Sequence, residues 1–188
     1  MAAQPVTHMT PEEYLAFERA SDTKHEYYHG DLFAMAGASY AHGLIIGRLT
    51  RELGNLLRAR DCAVVPNDLR VRVSPPGLYA YPDIVVVCGQ PQFADDQKDT
   101  LLNPVVLIEV LSPSTEAHDR GYKFAEYRKL ESLQEYVLVS QQEARVEVFS
   151  RRLAGQWLMT EFLGPGSECH LDRLDCKVAL AEIYAGLI

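Results

Sequence analysis

No apolar run in this 188-residue chain approaches the roughly 18 residues that a membrane-spanning helix needs, and "MAAQPVTHMTPEEYLAF" has no signal-peptide core. The expected location is therefore the cytoplasm, away from membranes. Basic residues are too few to give an electrostatic footprint for a polyanion: 18 Lys and Arg stand against 26 Asp and Glu, a formal net charge of −8. That balance weighs against a stable DNA-binding module. It weighs less against an enzyme whose carboxylates gather a divalent cation, because those carboxylates contribute to the negative total. Cysteine is scarce, and the spacing of Cys62, Cys88, Cys169 and Cys176 matches neither a zinc ribbon nor a redox pair. Buried, reduced thiols are the expectation. The sequence contains no G-x-x-x-x-G-K-[ST], no G-x-G-x-x-G after a strand and no G-x-S-x-G elbow. P-loop and dinucleotide readings thereby fail, a serine triad is unsupported, and no organic cofactor is expected.

No repeat, low-complexity tract or linker divides the chain. Its 47% hydrophobic and 23% charged residues suit one soluble domain spanning 1–188, with a core over about 40–140. Thr10-Pro11-Glu12-Glu13 reads as a helix start, with the helix running to about Arg19. "HEYYHGDLFAMAG" carries a hairpin signal around Gly30-Asp31. In "SYAHGLIIGRLTRELGNLLRAR" the apolar residues Leu44, Ile45, Leu49, Leu53, Leu56 and Leu57 recur at helical spacing. Short strands follow in "CAVVP" and "LRVRV", then a loop "SPPGLYAY". The runs "PDIVVVC" and "PVVLIEVLS" are apolar throughout, as strands buried on both faces require, and a polar loop separates them. A helix from about Thr115 to Leu130, a strand "EYVLVS", a hairpin from "ARVEVFSR" and "QWLMTEFL", and a terminal helix "VALAEIYAGL" complete the chain. Gln134 and Glu135 read as surface residues. The pattern is a mixed α/β or α+β domain.

Two carboxylates interrupt the apolar strands: Asp83 opens "PDIVVV" and Glu109 lies near the end of "PVVLIEVLS". A carboxylate there is costly unless it is paired, hydrogen-bonded or bound to a metal. Asp119, Lys123 and Tyr127 follow at i, i+4, i+8 on one helix face, which the tight "LSPST" turn should bring back beside Glu109. Two acids and one ammonium form an economical phosphodiesterase site, with the acids holding Mg²⁺ and the lysine orienting a water or stabilising charge. Arg70, Arg72, Arg120 and Arg128 are cations that could meet a phosphate backbone, or simply solvated charges.

Together, "YPDIVVVC", "LIEVLSPST", Asp119, Lys123, Tyr127 and "EYVLVS" resemble the Uma-two family of the PD-(D/E)XK restriction-endonuclease-like superfamily. "HEYYHGDLFAMAGAS" and His42 are similar to that family's entry region, and the resemblance runs from about Pro11 to the terminal helix. It implies a mixed central sheet flanked by helices, built on a core of helix, three strands, helix and strand, with hairpins added at both ends. It implies an endonuclease that cuts DNA with Mg²⁺ or Mn²⁺, held by Asp83, Glu109 and the backbone carbonyl of Val110. The superfamily's lysine, two residues after the second acid, is replaced by Leu111, and the resemblance moves its role to Lys123. Asp119 and Tyr127 would orient that lysine, Glu26 would add a further acid and His42 would lie nearby. A homodimer is also implied.

Two other readings remain. A catalytically silent interaction protein could keep the same fold. His25-Glu26-Tyr27-Tyr28-His29 also satisfies H-E-x-x-H, a zinc-peptidase pattern that requires a helix. A hairpin would instead hold the two histidines roughly 13 Å apart, from a rise of about 3.3 Å per residue.

Overall fold

The computed structural model describes residues 8–35, 37–74 and 77–188. The first seven residues, Ala36 of the first hairpin region, and Pro75 and Pro76 of the expected loop lie outside the described residues. Helix α1 (Pro11–Ala20) starts with a complete capping box: the Thr10 hydroxyl accepts from the Glu13 N–H, and the Glu13 carboxylate accepts from the Thr10 N–H. Strands β1 (His25–Tyr28) and β2 (Asp31–Ala34) form the expected hairpin. Its two-residue turn places His29 at φ 47° and Gly30 at φ 104°, both in the left-handed half that a tight primed turn demands.

Helix α2 (Tyr40–Leu56), capped by the Ser39 hydroxyl, leads into β3 (Cys62–Pro66), β4 (Arg70–Arg72), β5 (Leu78–Ala80) and β6 (Ile84–Cys88). After β7 (Thr100–Leu101) and β8 (Val106–Leu111) comes a helical passage of α3 (Glu116–His118), a π-helical segment Asp119–Lys123 and α4 (Phe124–Tyr127). The chain ends with β9 (Glu135–Ser140), β10 (Arg145–Arg151), β11 (Trp157–Leu163), β12 (Glu168–Leu171), β13 (Cys176–Ala179) and α5 (Leu180–Tyr184). Among the described residues no helix is long and apolar enough to cross a membrane.

The larger sheet has the order β11-β10-β9-β8-β6-β3. Only β8 and β9 pair in parallel within it, joined by the helical passage that crosses between them. The smaller sheet, β2-β1-β5-β4-β7, stands beside it. Strand alternation divides the core. Ile84, Val86, Val106, Ile108 and Val110 pack against Ile45, Ile46, Leu49 and Leu53 of α2 and against the C-terminal strands. Val85, Val87, Leu107 and Leu111 face the opposite way and meet Val71, Leu78 and Ala80 of the small sheet, together with Tyr127. Each fully buried Leu or Ile contributes about 2 kcal/mol.

The structure departs from several expectations. Leu78–Ala80 and Thr100–Leu101, expected in loops, are strands β5 and β7, because their partners in the small sheet satisfy their backbones. The helix expected over 115–130 ends at Tyr127 and contains the π-helical segment. Val178 and Ala179, expected in the terminal helix, belong to β13. Cys62 and Cys88 are opposite each other on β3 and β6 and are joined by a disulfide, not held as separate thiols. Cys169 and Cys176 are the free buried thiols expected, and burial pushes the Cys169 thiol up to about 12.

Glu135 is not a surface residue; it opens β9 fully buried. One carboxylate oxygen accepts from the Ser150 hydroxyl at 3.3 Å and from the Arg173 N–H at 3.4 Å, while the other is buried without a partner. Burial lifts its pKa above the ordinary value, against the Arg173 and Ser150 donors. The neutral form is thus the one the fold favours. Its contribution to stability is present in acid and lost as pH rises through the raised pKa. Glu135→Gln should therefore show a higher urea midpoint than wild type at mildly alkaline pH, with the gap closing on acidification. A lower midpoint across the whole range would mean that the ionised form is the stabilising one.

Candidate active site

The acid pair follows from where β6 begins. Strands β6 and β8 run antiparallel with Ile84 opposite Ile108, so the next step of the register sets Asp83 opposite Glu109. Asp83 precedes the ladder, and its side chain closes the end that the strand leaves open. Its Oδ2 accepts from the Val110 N–H at 2.7 Å, while the Asp83 N–H approaches Glu109 Oε2 at 3.3 Å. Glu109 alternates along β8 with Ile108 and Val110, which face α2. It therefore points toward the helical passage and the small sheet, where it is 3% exposed.

Lys123 meets this pair from the helical passage. Its Nζ lies 2.9 Å from Glu26 Oε1, 3.1 Å from Glu109 Oε1 and 3.6 Å from Asp119 Oδ1, with only 7% of the residue exposed. Glu26 comes from β1, so the hairpin, the central sheet and the helical passage each supply one carboxylate to one ammonium. The π-helical segment Asp119–Lys123 carries both a carboxylate and the lysine, and the Tyr136 hydroxyl donates to the Asp119 carbonyl at 3.1 Å. The Tyr127 hydroxyl donates to Glu109 Oε1 at 2.9 Å, so Tyr127 orients the acid and not, as expected, the lysine.

Burial raises the Glu109 pKa well above the ordinary value; Lys123 opposes the rise, and Asp83, Asp119 and Glu26 add to it. Burial works against the Lys123 charge, but Glu109, Glu26 and Asp119 outweigh it and hold the ammonium charged well above its usual range. Asp119 is also raised by burial, against the pull of Lys123. The cluster is thus short of positive charge: three carboxylates meet a single lysine, and Asp83 stands directly behind Glu109.

His42, near the start of α2, sits on the other side of Asp83, with Nε2 3.2 Å from Oδ2. Burial opposes its charge, but Asp83 and the Val110 carbonyl outweigh burial and raise its pKa. The imidazole thus faces Asp83 through Nε2, and its buried Nδ1 has no hydrogen-bond partner among the described residues. Among the described residues no group of three His, Cys, Asp or Glu side chains is arranged to hold a metal ion by itself. Zinc, which takes three or four such ligands, is poorly served. Mg²⁺ or Mn²⁺ needs only one or two carboxylates with carbonyl oxygen and water, and Asp83, Glu109 and Val110 suit that demand. Glu26 Oε1 is ion-paired with the Lys123 ammonium at 2.9 Å without an aligned hydrogen bond.

His25 and His29 do not converge. His25 opens β1 and binds Glu18 through Nδ1 at 3.0 Å, while His29 forms the turn at the strand's far end. The H-E-x-x-H match is therefore not on a helix, and the zinc-peptidase reading loses its geometry. Two of the four candidate arginines, Arg70 and Arg120, are committed to acids of this chain. Arg70 is 2% exposed and bonded to Thr100, Tyr81 and Asp99, and Arg120 is paired with Glu116 and Glu147. Arg128 lies over the Phe124 ring.

The sequence reading missed a cavity of about 310 Å³ beside Glu26, lined by Tyr28, Phe33, Leu78, His118 and Tyr122. Its signal lay in the register. Glu26 and Tyr28 share one face of β1, Phe33 stands opposite Glu26, and Leu78 opposite Tyr28. His118 and Tyr122 share the i, i+4 face of the helical passage, and their rings stack at 4.9 Å.

Comparison with known proteins agrees with this architecture. The crystal structure of "a putative nuclease belonging to DUF820" from Anabaena variabilis superposes with a TM-score of 0.78 at 18% identity, covering 96% of this chain and 99% of that one. That likeness establishes the restriction-endonuclease-like fold. Two uncharacterized Synechocystis proteins are similar in sequence. One, slr1290, is 36% identical over 185 residues, covering 97% of this chain and 95% of its own length. The other, sll1609, is 34% identical over 160 residues, covering 85% and 90%. The Uma2 family model, described as "Putative restriction endonuclease", matches residues 11–181, and the chain belongs to that family.

Proposed function

We propose that this protein is a Mg²⁺- or Mn²⁺-dependent endonuclease that hydrolyses DNA phosphodiester bonds. The observation that carries the reading is the buried contact of Lys123 with Glu109 beside Asp83, at the end of β8. Asp83, Glu109 and the Val110 carbonyl would hold the cation, which would polarise a phosphoryl oxygen and acidify a water. Lys123 orients the attacking water and offsets the charge that develops on the phosphoryl group. Asp119 and Glu26 hold the ammonium in place, Tyr127 fixes the Glu109 carboxylate, and His42 steadies Asp83. In this reading the chain is one catalytic domain that works as a homodimer in the cytoplasm.

A catalytically silent interaction protein is the second reading. It is favoured by the net charge of −8 and by the internal pairing of Arg70 and Arg120. Incubation of plasmid and single-stranded DNA with Mg²⁺ or Mn²⁺ separates the two. Wild type should cut, and Asp83→Asn and Lys123→Ala should each cut at least about 100-fold more slowly. Cleavage that survives both substitutions would put the chemistry elsewhere. No cleavage by wild type, with no heat of metal binding in calorimetry, would favour the silent protein.

The charge balance can be tested without activity. Lys123→Met leaves Glu26, Glu109 and Asp119 facing one another and should lower stability by about 3 kcal/mol at neutral pH. Glu109 and Asp119, whose folded pKa values are raised, bind protons more tightly when folded, so the deficit should shrink as pH falls. Urea titrations across pH would show this, and a deficit unchanged by acidification would mean that lost packing, not charge, is responsible.

A further inference from the structure

We infer that the cavity beside Glu26 receives an unpaired nucleobase of the strand to be cut. This rests on the nuclease reading of the adjoining acids and adds a substrate class to it. Glu26 belongs both to the cavity wall and to the Lys123 cluster, and Tyr122 directly precedes Lys123. A group held in the cavity is therefore next to the reacting centre.

The lining is suited to a flat aromatic ring. Tyr28 meets Tyr122 edge to face at 4.8 Å and His118 stacks on Tyr122, so these rings brace one another as the back of the cavity, with Leu78 buried beneath. Phe33 stands at the opening with 46% of its surface exposed. A nucleobase can stack on the exposed Phe33 ring whatever its identity. The one carboxylate in the wall, Glu26, repels phosphate but can accept from the amino group of a base edge.

The charge distribution points the same way. Any strand draws on lysines and arginines that neutralise phosphates, and Arg70 and Arg120 are engaged with acids of this chain, so stacking has to carry a larger share of the affinity. Affinity supplied by stacking is open to a single strand, because only an unpaired base exposes its face.

The test measures binding in the Asp83→Asn protein, so that cleavage does not interfere. Fluorescence anisotropy would compare a short labelled single strand with an abasic strand of equal phosphate count and with the corresponding duplex. The strand carrying bases should bind about tenfold more tightly than the abasic one. Phe33→Ala, a change at an exposed position, should remove most of that difference, and Phe33→Trp should retain it. Equal binding of the two strands, tighter binding of the duplex, or a difference untouched by Phe33→Ala would overturn the inference. Wild-type cleavage that ignores the bases would leave the nuclease reading standing while the cavity's role falls. Base-dependent binding without wild-type cleavage would do the reverse.

Discussion

The buried ammonium of Lys123 is the interaction on which the site depends. Moving an ion from water into a protein interior costs several kcal/mol even after relaxation. Glu109, Asp119 and Glu26 all point at that ammonium, so without it three carboxyl groups would face one another in the interior. Their sources are separate: β8, the π-helical segment and β1. The lysine thus ties the N-terminal hairpin and the helical passage to the central sheet. It also keeps a surplus of negative charge where a divalent ion would be welcome.

The acid pair itself depends on strand length. β8 runs on past the point where β6 begins, leaving the Val110 N–H without a strand partner on that side, and Asp83 Oδ2 takes its place. A carboxylate that ends a ladder in this way is held by the backbone. The same Oδ2 lies 3.2 Å from His42 Nε2, so sheet termination, acid placement and the basic neighbour meet at one atom.

The sequence showed most clearly what local physics decides. The continuous apolar runs became strands buried on both faces, Thr10 and Glu13 formed their capping box, and His29-Gly30 turned the hairpin. Asp83, Glu109 and Lys123 were legible because charge in an apolar run and an i, i+4 pair on a helix are both local patterns. Features set by distant partners were not legible. β5 and β7 exist because other short strands pair with them, and Cys62 meets Cys88 only through the β3–β6 register. Glu135 is buried because β10 and the turn before β13 cover it, which its polar neighbours in sequence conceal. Tyr127 shared the lysine's helix face, but the acid it binds is on another element.

Leu111 shows why the lysine can come from a helix. Residues two apart on a strand share a face, so position 111 points the same way as Glu109. Leu111 is 4% exposed there and packs with Tyr127 and Leu138 in the second core. A lysine at that position would need a charged path through this apolar layer. The helical passage instead delivers Lys123 from the side of the hairpin, where Glu26 and Asp119 wait for it. The apolar core thereby stays continuous beneath the acids, and the ammonium still reaches Glu109. Relocating the cation also joins it to β1, where the face that carries Glu26 also carries Tyr28 and the wall of the aromatic cavity. In this chain the charge that balances the acids and the surface that could recognise a substrate are therefore parts of one hairpin contact.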